Sequence, residues 1–429
     1  MPELDAQTVS AVFAGLLALH VVVALGLSQR QIAHVAARRD TRPAAFAASI
    51  SEAAHAKAAD YTCAKERFGM LQCLFGTALL LLWTFGGGLA ALNGMLLDFF
   101  GGDTPGTATL AYQVALVFAF SLIGAILELP FEWYAHFRIE ARFGFNRMTL
   151  RLWLTDLLKS ALVGTVIGVP LLAMVLALMG FAGALWWLWA WALWMGFNLV
   201  LLIVYPLFIA PLFNEFRPLE DATLAARVQA LLDRCGFAAK GVFVMDGSKR
   251  SAQSNAYFTG LGRGKRVVLY DTLLSRLSGA EVEAVLAHEL GHFRHRHILK
   301  MLLQIFALSL LALAALGWLS QQPAFFIGLG VTPNAAAPND ALALLLFLLV
   351  LPSATFLTTP LARLASRRHE FEADAYARRH ASGADLANAL VKLAEDNALT
   401  LTPDPLYVRF YYSHPPIGER LAALHAAPA

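Results

Sequence analysis

Charged residues are scarce in this chain. Asp, Glu, Lys and Arg together make up 15% of its 429 residues, whereas soluble domains usually carry about 25%. The three cysteines, Cys63, Cys73 and Cys235, are scattered, which excludes a disulfide framework and a Cys-X-X-Cys metal pair. No basic run with interleaved aromatics occurs, so no nucleic acid is expected as a partner. With 58% hydrophobic residues, the composition instead predicts a multi-pass membrane protein in a lipid bilayer.

Apolar runs long enough to cross a bilayer occur seven times. About 20 apolar residues are needed to span the hydrocarbon. The predicted spans cover residues 10–28, 71–92, 110–130, 161–179, 186–207, 299–319 and 341–361. The first follows an acidic leader and lacks a clear small-residue cleavage site, so we expect a retained span rather than a signal peptide.

Lys and Arg are absent from every second connection between these spans. Residues 93–109, 180–185 and 320–340 contain neither, whereas 29–68 and 131–160 are basic. The positive-inside rule therefore predicts an amino terminus outside the cell. It places the two basic loops, together with the polar segments 208–298 and 362–429, in the cytoplasm.

The polar segment 208–298 has the pattern of a small α+β unit. Helical periodicity covers 219–235, and short apolar runs predict strands at 241–245, 255–259 and 265–270. Turn-rich residues at 246–251 and 260–264 separate the strands. A helix over 279–296 follows, with Ser278 as its N-cap and Glu281 three residues later.

The predicted helix 279–296 carries the motif His-Glu-Leu-Gly-His at residues 288–292. His288 and His292 lie one turn apart and about 40° around the helix axis, so both imidazoles can bind one tetrahedral cation. Glu289 lies beside the first histidine, where its carboxylate can take a proton from the attacking water. Gly291 costs about 1 kcal/mol relative to Ala inside a helix, which indicates close packing or ligand approach. The alternative is a solvated helix surface, because the motif alone is only moderately specific.

A catalytic zinc needs a third protein ligand, and the acidic cluster after the last span is the best source. Glu370 and Asp374 are four residues apart and share a helix face, while Glu372 points to the opposite side. One carboxylate can bind the metal while the other supports a ligand histidine, but spacing alone does not say which does which. Without the histidine motif, a charged juxtamembrane helix would be the preferred interpretation. His295 and His297 lie near the membrane edge and are interpreted as interfacial rather than ligating.

The sequence resembles the integral-membrane CAAX prenyl endopeptidases of type I, which are relatives of the gluzincins. The resemblance covers most of the chain and extends well beyond the histidine motif. Its further motifs are LPF at 129–131, GFN at 144–146, YP at 205–206, FIAPLF at 208–213, GSKRS at 247–251, SNAYF at 254–258, VLYDTL at 268–273, EFEAD at 370–374, SHPP at 413–416 and ER at 419–420.

The resemblance implies one zinc ion per chain, held by three protein ligands. These would be His288, His292 and Glu370. It further implies that Glu289 is the general base and that Asp374 orients a ligand histidine. The family's seven helices surround a water-filled chamber that the zinc site faces.

The resemblance also implies contacts for the substrate. His414 would stabilise the oxyanion of the tetrahedral intermediate, and Arg420 would support it structurally. Asn255, Ala256 and Tyr257 would belong to an edge strand to which an extended peptide can add by main-chain pairing.

These observations predict one architecture. It is a predominantly α-helical polytopic membrane protein with seven transmembrane helices around a chamber and a cytoplasmic gluzincin-like α+β zinc protease domain. The predicted division places spans one to five in 1–207, the first catalytic part in 208–298, spans six and seven in 299–361, and the second catalytic part in 362–429.

The predicted activity is zinc-dependent hydrolysis of peptide bonds near the carboxyl terminus of prenylated, CAAX-type polypeptides or of other membrane-associated polypeptides. One alternative is a general quality-control protease of membrane proteins with no prenyl requirement. A remote alternative is a metal-binding transporter that uses Glu128 and His20, although the paired broken helices of transporters are not evident.

Composition also bears on location. The Ala- and Leu-rich sequence and a tail without an endoplasmic-reticulum retrieval signal predict a bacterial inner-membrane protein. The oligomeric state stays open at this point.

Overall fold

Apolar α-helices dominate the amino-terminal half of the computed structural model, which describes residues 4–102, 109–238, 241–259 and 266–426. These helices are α1 (Ala6–Ala36), α2 (Glu52–Trp83), α3 (Gly88–Phe99), α4 (Leu110–Tyr134), α5 (Leu150–Phe181), α6 (Trp186–Val204) and α7 (Ala210–Phe213). Short π-helical turns extend α4 over Ala135–Glu140 and α6 over Tyr205–Ile209.

The carboxyl-terminal half combines a small sheet with further helices. In chain order these elements are β1 (Phe216–Pro218), α8 (Ala222–Arg234), β2 (Val242–Met245), β3 (Ala256–Thr259), β4 (Arg266–Tyr270), α9 (Asp271–Arg276), α10 (Gly279–Arg294), α11 (His297–Leu319), α12 (Pro323–Gly328), α13 (Asp340–Thr355), α14 (Thr359–His380), α15 (Gly383–Asp396), α16 (Pro405–Tyr411) and α17 (Ile417–His425). The predicted division of the chain into four segments stays a prediction.

The seven predicted spans have counterparts in the helices. Six helical stretches among the described residues are long and apolar enough to cross a membrane, and α2 and α3 together are a seventh candidate with a bend of 50° between them. The predicted span 71–92 is therefore broken. Gly87 has a φ of 75°, and a Cβ on Gly88 would lie 2.9 Å from the Leu82 carbonyl oxygen. Only a glycine run accommodates this sharp break.

Several helices extend well beyond their apolar runs. The predicted basic loop 29–68 is mostly helical, because α1 continues to Ala36 and α2 begins at Glu52. At the other end of the chain, α13 and α14 follow each other almost without interruption. The apolar α13 lies in a predicted span, whereas α14 is charged and carries Glu370 and Asp374. This arrangement brings the acidic cluster of α14 next to the histidine motif of α10.

The sheet has the strand order β1-β2-β4-β3. Its central pair, β2 and β4, is parallel, and the outer strands β1 and β3 pair antiparallel to them. The observed strands agree with the predicted ones to within one residue at the described ends, and Asn255 lies just before β3 rather than inside it. The predicted turn at 260–264 and Lys265 lie outside the described residues.

Helix α10 lies at the centre of the carboxyl-terminal half. Its N-terminus is a capping box, in which the Ser278 hydroxyl accepts from the Glu281 amide and the Glu281 carboxylate accepts from the Ser278 amide. Its inner face is buried among apolar side chains of α8, α14 and α15. The helix ends at Arg294 rather than at 296, because Arg296 adopts a left-handed φ of 56°. That turn starts α11 and redirects the chain towards the membrane.

Candidate metal centre

Two imidazoles on α10 form one side of the site. The Nε2 atoms of His288 and His292 are 3.3 Å apart, and the rings meet at 83°. One helical turn separates the two residues, so the pairing is local and needs no other part of the chain. Both Nε2 atoms point towards α14.

Glu370 on α14 completes a triangle of donor atoms. Its Oε2 lies 3.5 Å from His288 Nε2, and its Oε1 lies 3.4 Å from His292 Nε2. Ligands held at about 2.0–2.1 Å in a tetrahedron are roughly 3.3–3.4 Å from one another. The Oε2 atom is also buried and accepts no hydrogen bond within the described residues, which is costly for a carboxylate unless a cation is close. The three side chains therefore fit a zinc ion and leave a fourth position open.

Asp374 lies behind His288. The His288 Nδ1–H donates to Asp374 Oδ1 at 2.8 Å, and Arg420 donates to both Asp374 oxygens at 2.8 and 2.6 Å. Burial acts to lower the pKa of His288, but the neighbouring carboxylates of Asp374 and Glu370 outweigh it and raise the pKa to about 9. Asp374 thus faces the outer nitrogen of His288, and Glu370 faces the inner nitrogens of both histidines. Spacing along the sequence had left these two arrangements open.

Gly291 permits the close approach of α10 and α14. A Cβ at this position would lie 2.8 Å from the Cα of Ala373 and 3.1 Å from its carbonyl oxygen. Real Cβ atoms essentially never come this close to backbone. Gly291 therefore has the close-packing role that the low helix propensity of glycine indicated. The close approach it permits brings Glu370 on α14 within reach of the two histidines.

A large cavity opens in front of the donor triangle. Its volume is about 990 Å³, and its wall includes Glu289, His288 and Glu370. Glu289 is half-buried at this wall. Burial raises the pKa of Glu289, although the neighbouring histidines act in the opposite direction. The carboxylate therefore lies beside the donor triangle, in a place where it can exchange a proton with a cavity water.

His414 lines the same cavity from the carboxyl-terminal segment. Its Nε2 lies 3.4 Å from Glu370 Oε1, and its Nδ1 lies 3.0 Å from the Ser413 hydroxyl. The side chain is 64% exposed, and that exposure is to the cavity it lines. The enclosing protein desolvates the ring and lowers the pKa of His414, although the Glu370 charge opposes this shift.

The strand β3 also contributes to the cavity wall. Asn255, Ala256 and Tyr257 all line it. The strand pairs with β4 on one side and has no second strand partner among the described residues. Asn255 is fixed at the beginning of the strand, because its carbonyl oxygen accepts a hydrogen bond from the Tyr270 amide at 3.1 Å. One edge of β3 is thus available for main-chain pairing.

The interpretation of His297 as interfacial was wrong. Its side chain is only 5% exposed, and its Nδ1 lies 2.9 Å from Nδ1 of His292. Its Nε2 lies 2.9 Å from Glu372 Oε2, so Glu372 reaches this histidine from the far side of α14. No sequence signal marked this contact, because it depends on the left-handed turn at Arg296 and on the packing of α14.

Neither of the two residues considered for transport is among those that line the cavity in front of the donor triangle. His20 on α1 stacks on Phe356 with ring centroids 4.0 Å apart, and its Nδ1 is 3.4 Å from the Ser353 hydroxyl. Glu128 lies exposed on α4. Within the described residues they form no joint cluster with a metal-binding geometry.

Two family descriptions match the chain. Residues 31–215 match "CAAX prenyl protease N-terminal, five membrane helices", and residues 218–427 match "Peptidase family M48". The CAAX prenyl protease 1 of Saccharomyces cerevisiae is 36% identical over 331 residues, which are 74% of this chain and 73% of that protein. The human CAAX prenyl protease 1 homolog is 31% identical over 396 residues, 84% of this chain and 81% of that protein.

A solved structure has the same overall fold. The crystal structure of S. mikatae Ste24p superimposes with a TM-score of 0.88 at 29% identity. The match covers 97% of this chain and 99% of that one.

Proposed function

Because the chain belongs to the CAAX prenyl proteases of peptidase family M48, we propose that it cleaves prenylated, CAAX-type polypeptides near their carboxyl terminus. It is a multi-pass membrane zinc metalloprotease. The observation that carries the proposal is the donor triangle of His288, His292 and Glu370, which opens onto a cavity of about 990 Å³ lined by an edge strand.

We assign one zinc ion per chain to this triangle. When bound, zinc polarises the scissile carbonyl and lowers the pKa of its water towards about 7. Glu289 takes the proton of the attacking water and delivers it to the leaving amine. Asp374 keeps the proton of His288 on Nδ1, so that Nε2 presents a lone pair, and Arg420 holds Asp374 in place.

His414 is assigned to the developing oxyanion. When the Ser413 hydroxyl donates to Nδ1 of His414, the ring carries its proton on Nε2. That N–H lies beside Glu370 Oε1, at the edge of the donor triangle, and can donate to an oxygen there. A donor of this kind typically contributes a few kcal/mol to the transition state.

The substrate chain is proposed to pair with β3. An extended peptide beside Asn255, Ala256 and Tyr257 would pass along the same cavity wall as Glu289. Main-chain pairing holds a peptide without selecting its side chains. The prenyl group would therefore supply selectivity that the strand does not.

The proposal also covers the orientation of the chain in the membrane and its location in the cell. The basic loops indicate that the amino terminus lies outside and that both catalytic segments face the cytoplasm. Composition favours a bacterial inner membrane. Labelling whole cells with a membrane-impermeant thiol reagent tests the orientation. Single cysteines are placed at Ala182 or Ser248 in a chain whose three native cysteines are replaced. We expect labelling at Ala182 alone, and labelling at Ser248 alone would reverse the orientation.

Cleavage of matched peptides tests the activity itself. We expect a farnesylated CAAX peptide to be cut in a chelator-sensitive way and faster than its unprenylated counterpart. Equal rates would favour the quality-control alternative, and chelator-resistant cleavage would contradict the zinc mechanism.

A pair of substitutions on α10 distinguishes a catalytic role of Glu289 from a general effect of removing a carboxylate from this helix. Glu289→Gln should bind zinc normally yet lose about 10²–10⁴-fold in rate, as expected for a general base. Glu283→Gln is the matched control, because Glu283 pairs with Arg227 and Arg234 at the protein surface. A Glu289→Gln enzyme as fast as wild type would contradict the assigned role.

A further inference from the structure

A second group of metal-binding side chains lies behind the donor triangle. It comprises His295, His297 and Glu372. The left-handed turn at Arg296, with a φ of 56°, brings the two histidine rings into a parallel stack with centroids 5.5 Å apart. A non-glycine residue adopts this conformation at a cost. The turn therefore holds both imidazoles on the side of Glu372.

The three side chains place their donor atoms close enough together for small adjustments to bring them onto one cation. Glu372 Oε2 lies 2.9 Å from His297 Nε2 and 3.9 Å from His295 Nδ1, and all three atoms lie within 4.8 Å of one another. Ligands of a tetrahedral zinc are roughly 3.3–3.4 Å apart. The side chains of His295 and Glu372 are 36% and 45% exposed, so they can adjust and an ion can enter from solvent. Two imidazoles and one carboxylate are also the donor set of the catalytic triangle.

One hydrogen bond connects this group to the catalytic triangle. The Nδ1 atoms of His292 and His297 are 2.9 Å apart, so when both rings are neutral one Nδ1 carries the proton and donates it to the other. When His292 donates, its Nε2 has a lone pair for the catalytic metal, and His297 Nε2–H donates to Glu372. When His297 donates instead, its Nε2 has the lone pair, and the neutral His292 ring carries its proton on Nε2.

Two neutral rings that share this bond cannot both ligate through Nε2. A cation bound by His297 would place the proton of His292 where the catalytic metal must bind. The two sites are therefore antagonistic, and by linkage each ion weakens the other by the same factor.

We propose that His295, His297 and Glu372 form a second zinc site whose occupancy inhibits the enzyme. The binding of this ion depends only on the three side chains, whereas the inhibition rests on the proposed role of His292 as a catalytic ligand. The site is the weaker of the two, because it is more exposed and because the Lys300 ammonium acts on Glu372.

Titration of the metal-free full chain in detergent with Zn²⁺ tests the proposal. Wild type should bind two ions, one tightly and one weakly, and activity should rise with the first and fall with the second. His295→Ala should leave the basal activity unchanged. It should also weaken the second binding event and raise the inhibitory zinc concentration, each by about tenfold or more, as ligand-sphere changes typically do.

Further variants separate this site from the catalytic one. Glu372→Gln should also lose the second event, and His425→Ala, which removes an exposed histidine of α17, should behave as wild type. In His288→Ala the tight event should disappear and the weak event should strengthen, because the antagonism is gone.

Two results would overturn the inference. The first is unchanged zinc inhibition in His295→Ala, which would place the inhibitory ion elsewhere. The second is a single binding event in wild type. A tight event that survives His288→Ala would instead refute the proposed catalytic ligands, and this outcome is distinct from both.

Discussion

Replacement of Gly291 by alanine perturbs the crossing of α10 and α14 without changing any proposed ligand. The added Cβ would lie 2.8 Å from the Cα of Ala373, whereas ordinary contact begins at 3.4 Å. The helices must therefore separate by at least about 0.6 Å, the difference between these distances. Because the obstacle is backbone, no side-chain rotation relieves it. Glu370, one turn before Ala373, moves with α14.

Two free-energy changes oppose each other in this variant. Alanine stabilises a helix interior by about 1 kcal/mol relative to glycine, whereas overpacking typically costs about 1–3 kcal/mol. The net loss of stability should therefore be at most about 2 kcal/mol, and the protein should still fold. Zinc sites tolerate only about 0.2 Å in their ligand distances. A displacement of Glu370 by several tenths of an ångström should thus impair metal binding more than folding.

Competition with a chelating dye in detergent measures this effect. We expect zinc affinity to fall by at least about tenfold in Gly291→Ala, with a corresponding loss of activity at limiting zinc. Gly279→Ala is the matched control on the same helix, because its Cβ would meet nothing closer than a Leu224 methyl group at 3.7 Å. Wild-type zinc affinity in Gly291→Ala would refute the claim that this glycine sets the distance between the two helices.

Four further predictions concern the ionisable groups of the site. Asp374→Asn should weaken zinc by about 10–100-fold in the same competition assay, because it disturbs the tautomer and orientation of His288. Zinc binding to the metal-free enzyme should release about one proton near neutral pH, because His288 has a raised pKa of about 9 without metal and must lose its Nε2 proton. Zinc affinity should therefore rise with pH and level off above about 9. Calorimetry in buffers of different ionisation enthalpy measures the number of protons released and would detect a number that contradicts this prediction. Glu370→Ala should lose the tightly bound zinc, and full retention of that ion by atomic absorption would refute Glu370 as its third ligand. His414→Ala should keep zinc but lower kcat by about 10²–10³-fold, and an unchanged kcat would remove it from the oxyanion role.

Several predictions from sequence agree with the structure because they depend on local geometry. The pairing of His288 with His292 follows from one turn of helix, and the Ser278 capping box follows from a spacing of three residues. The spans follow from the length of apolar runs relative to the bilayer. Gly291 indicated close packing, because a glycine inside a helix lowers its stability relative to alanine. The sequence did not show that its packing partner would be Ala373.

The predictions from sequence were wrong where tertiary packing, rather than the local residue pattern, decides the backbone path or the surroundings of a side chain. The span 71–92 is broken at Gly87, and α10 stops before Arg296. His297 was assigned to the membrane edge because apolar residues follow it. In the structure it is buried against His292, since the turn at Arg296 and the packing of α14 decide its surroundings.

The amino-acid sequence by itself determined the seven apolar runs, the amphipathic elements of the small sheet and the histidine pair on α10. Only the tertiary structure decided that Glu370 faces both histidines while Asp374 lies behind His288, and that Glu372 reaches His297. The physical reason is distance along the chain. About 80 residues separate the two histidines from the acidic cluster, so side-chain chemistry supplies the donor types, but the crossing of α10 and α14 at Gly291 sets which oxygen meets which nitrogen.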